Sequence, residues 1–367
     1  MRFGRDGGSG RGRGRARLLA LVVVLGTALS ACVSNAPQTA LKPQGHESRI
    51  TDHLFKPVFW IAVAVFVLVE GLIVIAVVRF RARSDDDAPV QIHGSRTLET
   101  TWTVIPALLL AGIGIWTIKT VFDVNRIPKG PEVVNVNVIG HRWWWEYKYP
   151  ASGVTTANEL YIPSGKRVVL TLESADVIHS FWPPALAGKV DVVPGQKNRM
   201  IVEADHPGRF YGQCAEYCGT SHANMRLEVV AVAPADFQKW ISDQQAGPAI
   251  RAVADTGSSS TTTTAAGTTP TSAVALTPAE SGAGLFLAKG CAGCHSITGV
   301  SAGVVGPNLT HFHSRTVFAG AMFKTTDHNL RNWLRNPPKE KPDSIMPNLK
   351  LSEDEITNLI AYLDTLK

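Results

Sequence analysis

Two long apolar runs constrain the fold of this 367-residue chain more than any other feature of its sequence. Val58–Val78 contains one charged residue, Glu70, and Trp102–Ile118 is followed at once by Lys119. A helix of about 20 apolar residues crosses a bilayer, and a lysine at its end can extend to the polar surface. The runs therefore predict a transmembrane hairpin. Glu70 is either a polar or proton contact to a partner or a neutral acid hydrogen-bonded at a helix interface.

Basic residues predict the orientation of this hairpin. The loop between the two runs carries Arg79, Arg81, Arg83 and Arg96. Because cytoplasmic loops are enriched in Lys and Arg, we expect this loop in the cytoplasm and both flanking segments on the outer side of the membrane. The chain is therefore expected to be a two-pass membrane protein with a large C-terminal region outside.

The first 31 residues are typical of a bacterial export signal. They contain six arginines and one acid, which is +5 of the formal charge of +6, followed by the apolar stretch Leu18–Leu29. That stretch is too short to span a bilayer. It ends in Leu-Ser-Ala-Cys32, which indicates lipidation of Cys32; an ordinary signal anchor is the alternative. Without this segment little net charge remains, so the sequence does not favour a nucleic-acid partner.

Short strands are predicted between residues 132 and 232. Val134, Val136 and Val138 alternate with polar residues, and Arg167–Leu172 is a short run rich in β-branched side chains. Pro-Gly pairs punctuate the rest of the region. Several short strands with turn signals favour an all-β sandwich or barrel, and a Greek-key order would suit it.

A segment rich in Ser, Thr, Gly and Ala separates this region from a C-terminal module. Such a composition is typical of a flexible linker. Ser352 and Glu355 form a capping-box pattern before an apolar-periodic run, which predicts a terminal helix in an all-α module. The expected organisation is a signal peptide at 1–31, an outer tether at 32–54, a transmembrane hairpin at 55–122, a β domain at 123–242, a linker at 243–275 and a helical domain at 276–367.

A cluster of metal-ligand side chains lies inside the β region. Cys214, Cys218, His222 and Met225 occur within twelve residues, and His179 lies upstream. Thiolates with imidazole and thioether form a set that copper prefers. Two cysteines four residues apart can bridge two copper ions and leave one imidazole for each. A mononuclear blue-copper site needs only one cysteine, zinc could occupy these residues in vitro, and a buried pair of structural thiols is the alternative without a metal.

A second redox motif follows the linker. In the sequence Cys291-Ala-Gly-Cys294-His295, the two cysteines would attach haem c covalently and His295 would be the proximal iron ligand. Met346 is the candidate distal ligand, and its alternative role is to fill the core. The rival distal ligands are Met322, His311 and His313. Lipid, copper and haem would account for all five cysteines.

The copper-binding pattern resembles the dinuclear CuA site of cytochrome c oxidase subunit II. The likeness runs from about residue 50 to about residue 240 and includes Glu99–Pro106, Gly140–Tyr147 and Asp176–Ser180. It implies a cupredoxin-like fold for the β domain. The ligands it implies are His179, Cys214, Cys218, His222, Met225 and the main-chain carbonyl of Glu216.

The same resemblance implies three further roles. The carboxylate of Glu216 would reach a magnesium ion shared with subunit I; otherwise Glu216 is a spacer whose carbonyl alone touches copper. Trp143 matches the position that receives electrons from cytochrome c, and the alternative for Trp143–Trp145 is an aromatic core. Glu99 matches the mouth of a proton path into the catalytic subunit.

With the haem motif included, the chain resembles subunit II of a bacterial caa-type oxidase, which carries a fused class I cytochrome c domain. This implies that electrons pass from haem c to CuA and then to the haem–copper centre of subunit I. Oxygen would be reduced and protons pumped there, so this chain holds no catalytic residue for oxygen. The implied partners are subunits I and III, an upstream cytochrome c or bc complex, and membrane lipid.

Two other functions stay open on the sequence. A membrane-tethered electron carrier or copper-handling protein would use the same metal sites, and nitrous oxide reductases have a very similar copper loop. A nitric oxide reductase with a CuA subunit is the nearest enzymatic alternative. The transmembrane hairpin and Glu99–Trp102 favour the oxidase, because a carrier would need only a lipid anchor. Quinol oxidase subunits resemble this fold but lack the copper cysteines, so the presence of Cys214 and Cys218 counts against that function.

Overall fold

A computed structural model describes residues 36–81, 93–128, 130, 133–247 and 276–367, together with residues 19, 20, 22, 23 and 26. The expected lipidation site Cys32 and residues 248–275 of the expected linker lie outside the described residues.

Two helices form the N-terminal part of the described chain. Helix α1 is His46–Arg79 and helix α2 is Arg96–Val124. Both are long and apolar enough to cross a membrane, and they pack against each other. Helix α1 begins before its apolar run because its first turn packs on the outer domain, where Glu47 pairs with Arg167 at 2.7 Å. Glu70 is exposed on α1.

Ten strands form a sandwich of two five-stranded sheets. The strands are β1 (Val134–His141), β2 (Trp144–Tyr149), β3 (Val154–Ala157), β4 (Glu159–Pro163), β5 (Val168–Ser174), β6 (His179–Trp182), β7 (Val190–Val192), β8 (Asn198–Val202), β9 (Gly208–Cys214) and β10 (Arg226–Val232). One sheet has the order β3-β2-β1-β5-β8 and the other β4-β10-β9-β6-β7. Inward-facing side chains such as Trp145, Leu170 and Phe181 are fully buried between the sheets. The all-β sandwich predicted from the alternating pattern and the cupredoxin-like fold that the resemblance implies are both confirmed.

Helix α3 (Pro234–Gln245) follows the last strand and was not predicted. Its apolar side chains Phe237 and Trp240 are three residues apart, so they share one face of the helix. That face packs on the sandwich, where the Trp240 ring stacks on Tyr161 with 4.5 Å between centroids. The helix extends to Gln245, beyond the expected start of the linker at residue 243.

The C-terminal domain is mostly helical. Its elements are α4 (Pro278–Ala288), β11 (Ser296–Ile297), β12 (Ser301–Ala302), β13 (Val317–Phe318), β14 (Phe323–Lys324), α5 (Asp327–Arg335), α6 (Pro337–Glu340) and α7 (Glu353–Leu363). Helices α4 and α7 pack closely at Gly282, where a Cβ atom would lie 2.0 Å from the carbonyl oxygen of Asn358. The predicted capping box of Ser352 and Glu355 starts α7. The domain differs from the predicted all-α module by two short strand pairs, β11 with β12 and β13 with β14.

Candidate functional site: two redox centres that share a wall

Strand pairing brings the metal-ligand side chains of the β domain together. Strand β9 ends at Cys214, and β10 begins at Arg226, so Cys218 and His222 lie on the loop between them. Strand β6 pairs antiparallel with β9 and starts at His179. Thus the histidine that lies far upstream in sequence reaches the loop through its sheet neighbour.

The ligand atoms of this loop lie within contact distance of one another. The sulfur atoms of Cys214 and Cys218 are 3.8 Å apart. His179 Nδ1 lies 3.9 Å from the Cys214 sulfur, and His222 Nδ1 lies 3.6 Å from the Cys218 sulfur. The thioether sulfur of Met225 is 3.8 Å from Cys218. Two neighbouring thiols, each with its own imidazole, fit a pair of bridged copper ions.

Hydrogen bonds orient His179 and place charge in the site. The Nε2 atom of His179 faces a carboxylate oxygen of Asp176 at 2.8 Å, which leaves Nδ1 for a metal. Burial opposes the charged imidazolium, but the hydrogen bonds to Asp176 and Cys214 outweigh it and raise the pKa of His179. The hydrogen bond with the Cys218 thiol lowers the pKa of Cys214 to about 4, and the same pairing raises the pKa of Cys218. The pairing therefore favours ionisation at Cys214 over Cys218.

Glu216 directs its two oxygen-bearing groups to opposite sides. Its main-chain carbonyl accepts a hydrogen bond from the Cys214 thiol at 3.2 Å, while its side chain is exposed. The carbonyl thus lies at the copper site, and the carboxylate is free to contact another chain.

The three consecutive tryptophans occupy three different environments. The Trp143 indole N–H donates to the carbonyl of Cys218 at 3.0 Å. Cys218 lies in the copper loop, the segment 214–225 between β9 and β10. Trp144 stacks on His141 with 4.2 Å between centroids. Trp145 is fully buried and lies edge-on to His179 at 5.9 Å. Of the three, only Trp145 is fully enclosed in the core. The alternative assignment of these tryptophans, an aromatic core, therefore holds for at least this one.

A cavity in the C-terminal domain is lined by Cys291, Cys294, His295 and Met346. The Nδ1 atom of His295 faces the carbonyl of Pro307 at 2.8 Å, so Nε2 is left for iron. Burial lowers the pKa of His295, which favours the neutral ring that a metal ligand requires. These residues fit a covalently attached haem.

Met346 is better placed for the distal role than its rivals. Its sulfur accepts a hydrogen bond from the indole N–H of Trp333 at 3.2 Å beside the cavity. The rivals Met322, His311 and His313 are not among the described residues that line the cavity. The two histidines have partners elsewhere: His311 Nδ1 faces the carbonyl of Lys367, and His313 pairs with Asp364.

The β domain supplies one wall of this cavity. Arg142, Trp143, Trp144 and Asn158 line it opposite the haem-attachment residues. Trp143 therefore contacts both sites, since it lines the cavity and its indole N–H binds the copper loop. Sequence reasoning missed this shared wall, because no spacing rule connects residues of two different domains.

Glu99 lies away from both metal sites. It occupies the first turn of α2, after the N-cap residue Ser95, and its side chain is exposed. Among the described residues, its carboxylate lies so close to Gly94 that a Cβ atom at that position would contact it. An exposed carboxylate at the expected cytoplasmic end of the hairpin is accessible to water.

Comparisons with known proteins agree on all three parts of the chain. Residues 37–120 match the transmembrane domain of cytochrome c oxidase subunit II, residues 151–232 match the periplasmic domain of that subunit, and residues 279–367 match cytochrome c. Cytochrome c oxidase subunit 2 of Alkalihalophilus pseudofirmus is 36% identical over 92% of this chain and 94% of its own length. The subunit 2 proteins of Bacillus sp. PS3 and Bacillus subtilis are 33% and 31% identical; each match covers 79% of this chain, and 80% and 81% of the respective relative.

Proposed function

This chain belongs to the cytochrome c oxidase subunit II family, with a membrane anchor of two helices, a periplasmic CuA domain and a fused cytochrome c domain. From that premise we propose that it accepts electrons at its own haem domain and passes them through Trp143 to the copper loop. Haem c and dinuclear copper, when bound, would each take up and release one electron. The remaining transfer would be to the haem–copper centre of subunit I.

The position of Trp143 carries this proposal. Its exposed fraction is only 7%, because the haem domain covers it on one side and the copper loop on the other. Its indole hydrogen-bonds to the peptide of the ligand residue Cys218. Gly219 permits this approach, since a Cβ atom there would lie 3.1 Å from the Trp143 ring. The side chain thus binds the copper loop and lines the haem cavity, which places it between the two sites.

We propose the following ligands from the contacts described above. Copper would be held by His179, Cys214, Cys218, His222, Met225 and the carbonyl of Glu216. Haem would be held by Cys291, Cys294, His295 and Met346. In each set the chain's own hydrogen bonds orient one imidazole: Asp176 orients His179 in the copper site, and Pro307 orients His295 in the haem site.

Three further residues have proposed roles in contacts with other subunits or with lipid. The exposed carboxylate of Glu216 would contribute to a magnesium site shared with subunit I, and Glu99 would stand at the mouth of a proton path in that subunit. Cys32 would carry the lipid. Subunit III and an upstream cytochrome c or bc complex are the further proposed partners.

Electron paramagnetic resonance of the purified full-length complex tests the copper assignment. We expect hyperfine splitting shared over two copper nuclei, because the two sulfurs are close enough to bridge both ions. A signal from a single copper would contradict the proposal and favour a mononuclear site.

Replacement of Trp143 by Leu tests the electron path. We expect slower transfer from haem to copper after rapid photoreduction of the haem, with both optical spectra retained. Trp144→Leu is the matched control, because Trp144 also lines the cavity but makes no described hydrogen bond to the copper loop. Equal rates in both variants would show that electrons do not pass through Trp143.

A further inference from the structure

The haem domain contacts the copper loop on both sides of the proposed ligands His222 and Met225. The hydroxyl of Ser221 donates to the carbonyl of Pro342. The backbone N–H of Arg226 donates to the carbonyl of Gly320 at 2.9 Å. Two residues adjacent to proposed copper ligands are therefore hydrogen-bonded to the haem domain. A domain that only delivered electrons would not need these bonds.

Lys341 holds the third residue of this contact, Trp143. Its ammonium group donates to the carbonyl of Trp143 at 2.6 Å and to that of Ala319 at 2.8 Å. Lys341 is 3% exposed, and no ion pair among the described residues includes it. Burial lowers its pKa to about 7, with partial opposition from the sulfur of Cys218. A buried lysine is costly unless its hydrogen bonds are made, and one of these bonds exists only while the domains are together.

Gly320 lets the two backbones approach this closely. Its φ is +78°. A Cβ atom at this position would lie 2.6 Å from the carbonyl oxygen of Trp143 and 2.9 Å from that of Asn224. Any side chain here would therefore push the haem domain away from the copper loop.

A second buried contact supports the same arrangement at a distance from the loop. Glu159 of strand β4 is 1% exposed and accepts the backbone N–H of Thr316 at 3.0 Å as well as its hydroxyl. Arg315 is buried in the haem domain; burial lowers its pKa to about 10, and attraction to Glu159 opposes that shift. The two hydrogen bonds from Thr316 to Glu159 therefore join the domains at a second place.

We propose that the haem domain is a positioning clamp for the copper loop, in which Lys341 holds Trp143, Pro342 holds Ser221 beside His222, and Gly320 holds Arg226 beside Met225. The domain would then do two things. It would supply electrons, and it would keep the ligand loop in one conformation. The clamp goes beyond the proposed function, and only its kinetic readout rests on electron transfer through Trp143.

Gly320→Ala tests the clamp, with Gly299→Ala as its matched control. Gly299 also lies in the haem domain and has a φ of +77°, but a Cβ atom there would meet nothing within 4 Å. Both variants therefore carry the same backbone strain, and only the first disturbs the contact between domains. The full-length chain with haem and copper is used for both.

Amide hydrogen exchange at Arg226 is the readout that does not depend on electron transfer. Gly320→Ala should lower the protection of this amide about tenfold or more, since its acceptor moves away with the haem domain. It should also alter the copper hyperfine pattern. Gly299→Ala should change neither. Equal protection in the two variants would overturn the proposal.

A charge reversal gives an independent test. Lys341→Glu would place a carboxylate against two carbonyl oxygens, whereas Lys339→Glu makes the same charge change at an exposed position nearby. We expect faster exchange at Arg226 and slower haem-to-copper transfer only in Lys341→Glu. If Trp143→Leu slows transfer while Lys341→Glu changes neither readout, the clamp is wrong and the electron path stands. If Lys341→Glu loosens Arg226 but Trp143→Leu does not slow transfer, the path is wrong and the clamp stands.

Discussion

The copper loop and the haem cavity differ in the contacts that bring their proposed ligands together. In the copper loop, the sulfurs of Cys214 and Cys218 already touch each other and the imidazoles. In the haem cavity, His295 is oriented by Pro307, but the sulfur of Met346 accepts the indole N–H of Trp333. A site whose ligands all lie on paired strands and one short loop can be pre-organised by the fold. No strand pairing among the described residues joins the segments of His295 and Met346, so the haem itself would link these two proposed axial ligands.

The largest effect is expected from Cys218→Ser, which removes the sulfur at the centre of the copper cluster. This sulfur contacts Cys214, His222 and Met225. A hydroxyl is a poor ligand for copper, so we expect complete loss of the dinuclear signal. Copper content and paramagnetic resonance measure it. Tyr217→Phe, at the exposed neighbouring position, should keep both copper ions.

Met346→Ala is expected to have the next largest effect, because the haem site would lose its proposed distal ligand. The haem should stay attached through Cys291 and Cys294, while its reduction potential falls and its methionine-ligation spectrum disappears. Redox titration with optical detection checks both. Met322→Ala is the control and should keep the spectrum; the opposite result would move the distal role to Met322.

Asp176→Asn is expected to weaken copper binding without abolishing it. The carboxylate faces Nε2 of His179 and accepts the backbone N–H of Arg142 at 2.7 Å. Loss of such a partner of a ligand histidine lowers metal affinity about 10–100-fold. Competition with a copper chelator measures the change, and the exposed residue Asp191 provides the control variant Asp191→Asn. Unchanged affinity would mean that strand β6 alone orients His179.

The smallest effect is expected from Trp333→Phe, which removes the hydrogen bond to the sulfur of Met346 and keeps an aromatic ring. If the cofactor rather than Trp333 positions Met346, the methionine-ligation spectrum should be retained. The free energy of unfolding should fall by about 1 kcal/mol, since one hydrogen bond is lost. Denaturant titration of the haem-loaded protein checks this. Loss of the spectrum would show instead that Trp333 pre-organises the distal side.

Local features of both sites could be predicted from the sequence, because the residues involved are close in the chain. The spacing from Cys214 to Met225 brings these ligands onto one loop whatever the surrounding fold. The capping box at Ser352 likewise depends on its own next three residues. The place of His179 could not be derived from spacing, since it depends on the pairing of β6 with β9.

Contacts between domains could not be predicted at all. Lys341 and Glu159 belong to no motif, and each acquires its role from a partner in the other domain. Helix α3 was missed for a different reason. Phe237 and Trp240 have helical spacing, but they follow a strand-rich region directly, and two apolar residues do not establish a period.

Coverage of Trp143 by the haem domain has a consequence for kinetics. A donor and an acceptor on one polypeptide, already in contact, react by a first-order process whose rate does not depend on dilution. Within this arrangement a soluble donor cannot reach the Trp143 face, so its concentration and the ionic strength would govern only the reduction of the haem. Saturation curves measured with external donors would then report the binding of the donor to the haem domain. They would not report binding to the copper loop, which the haem domain covers.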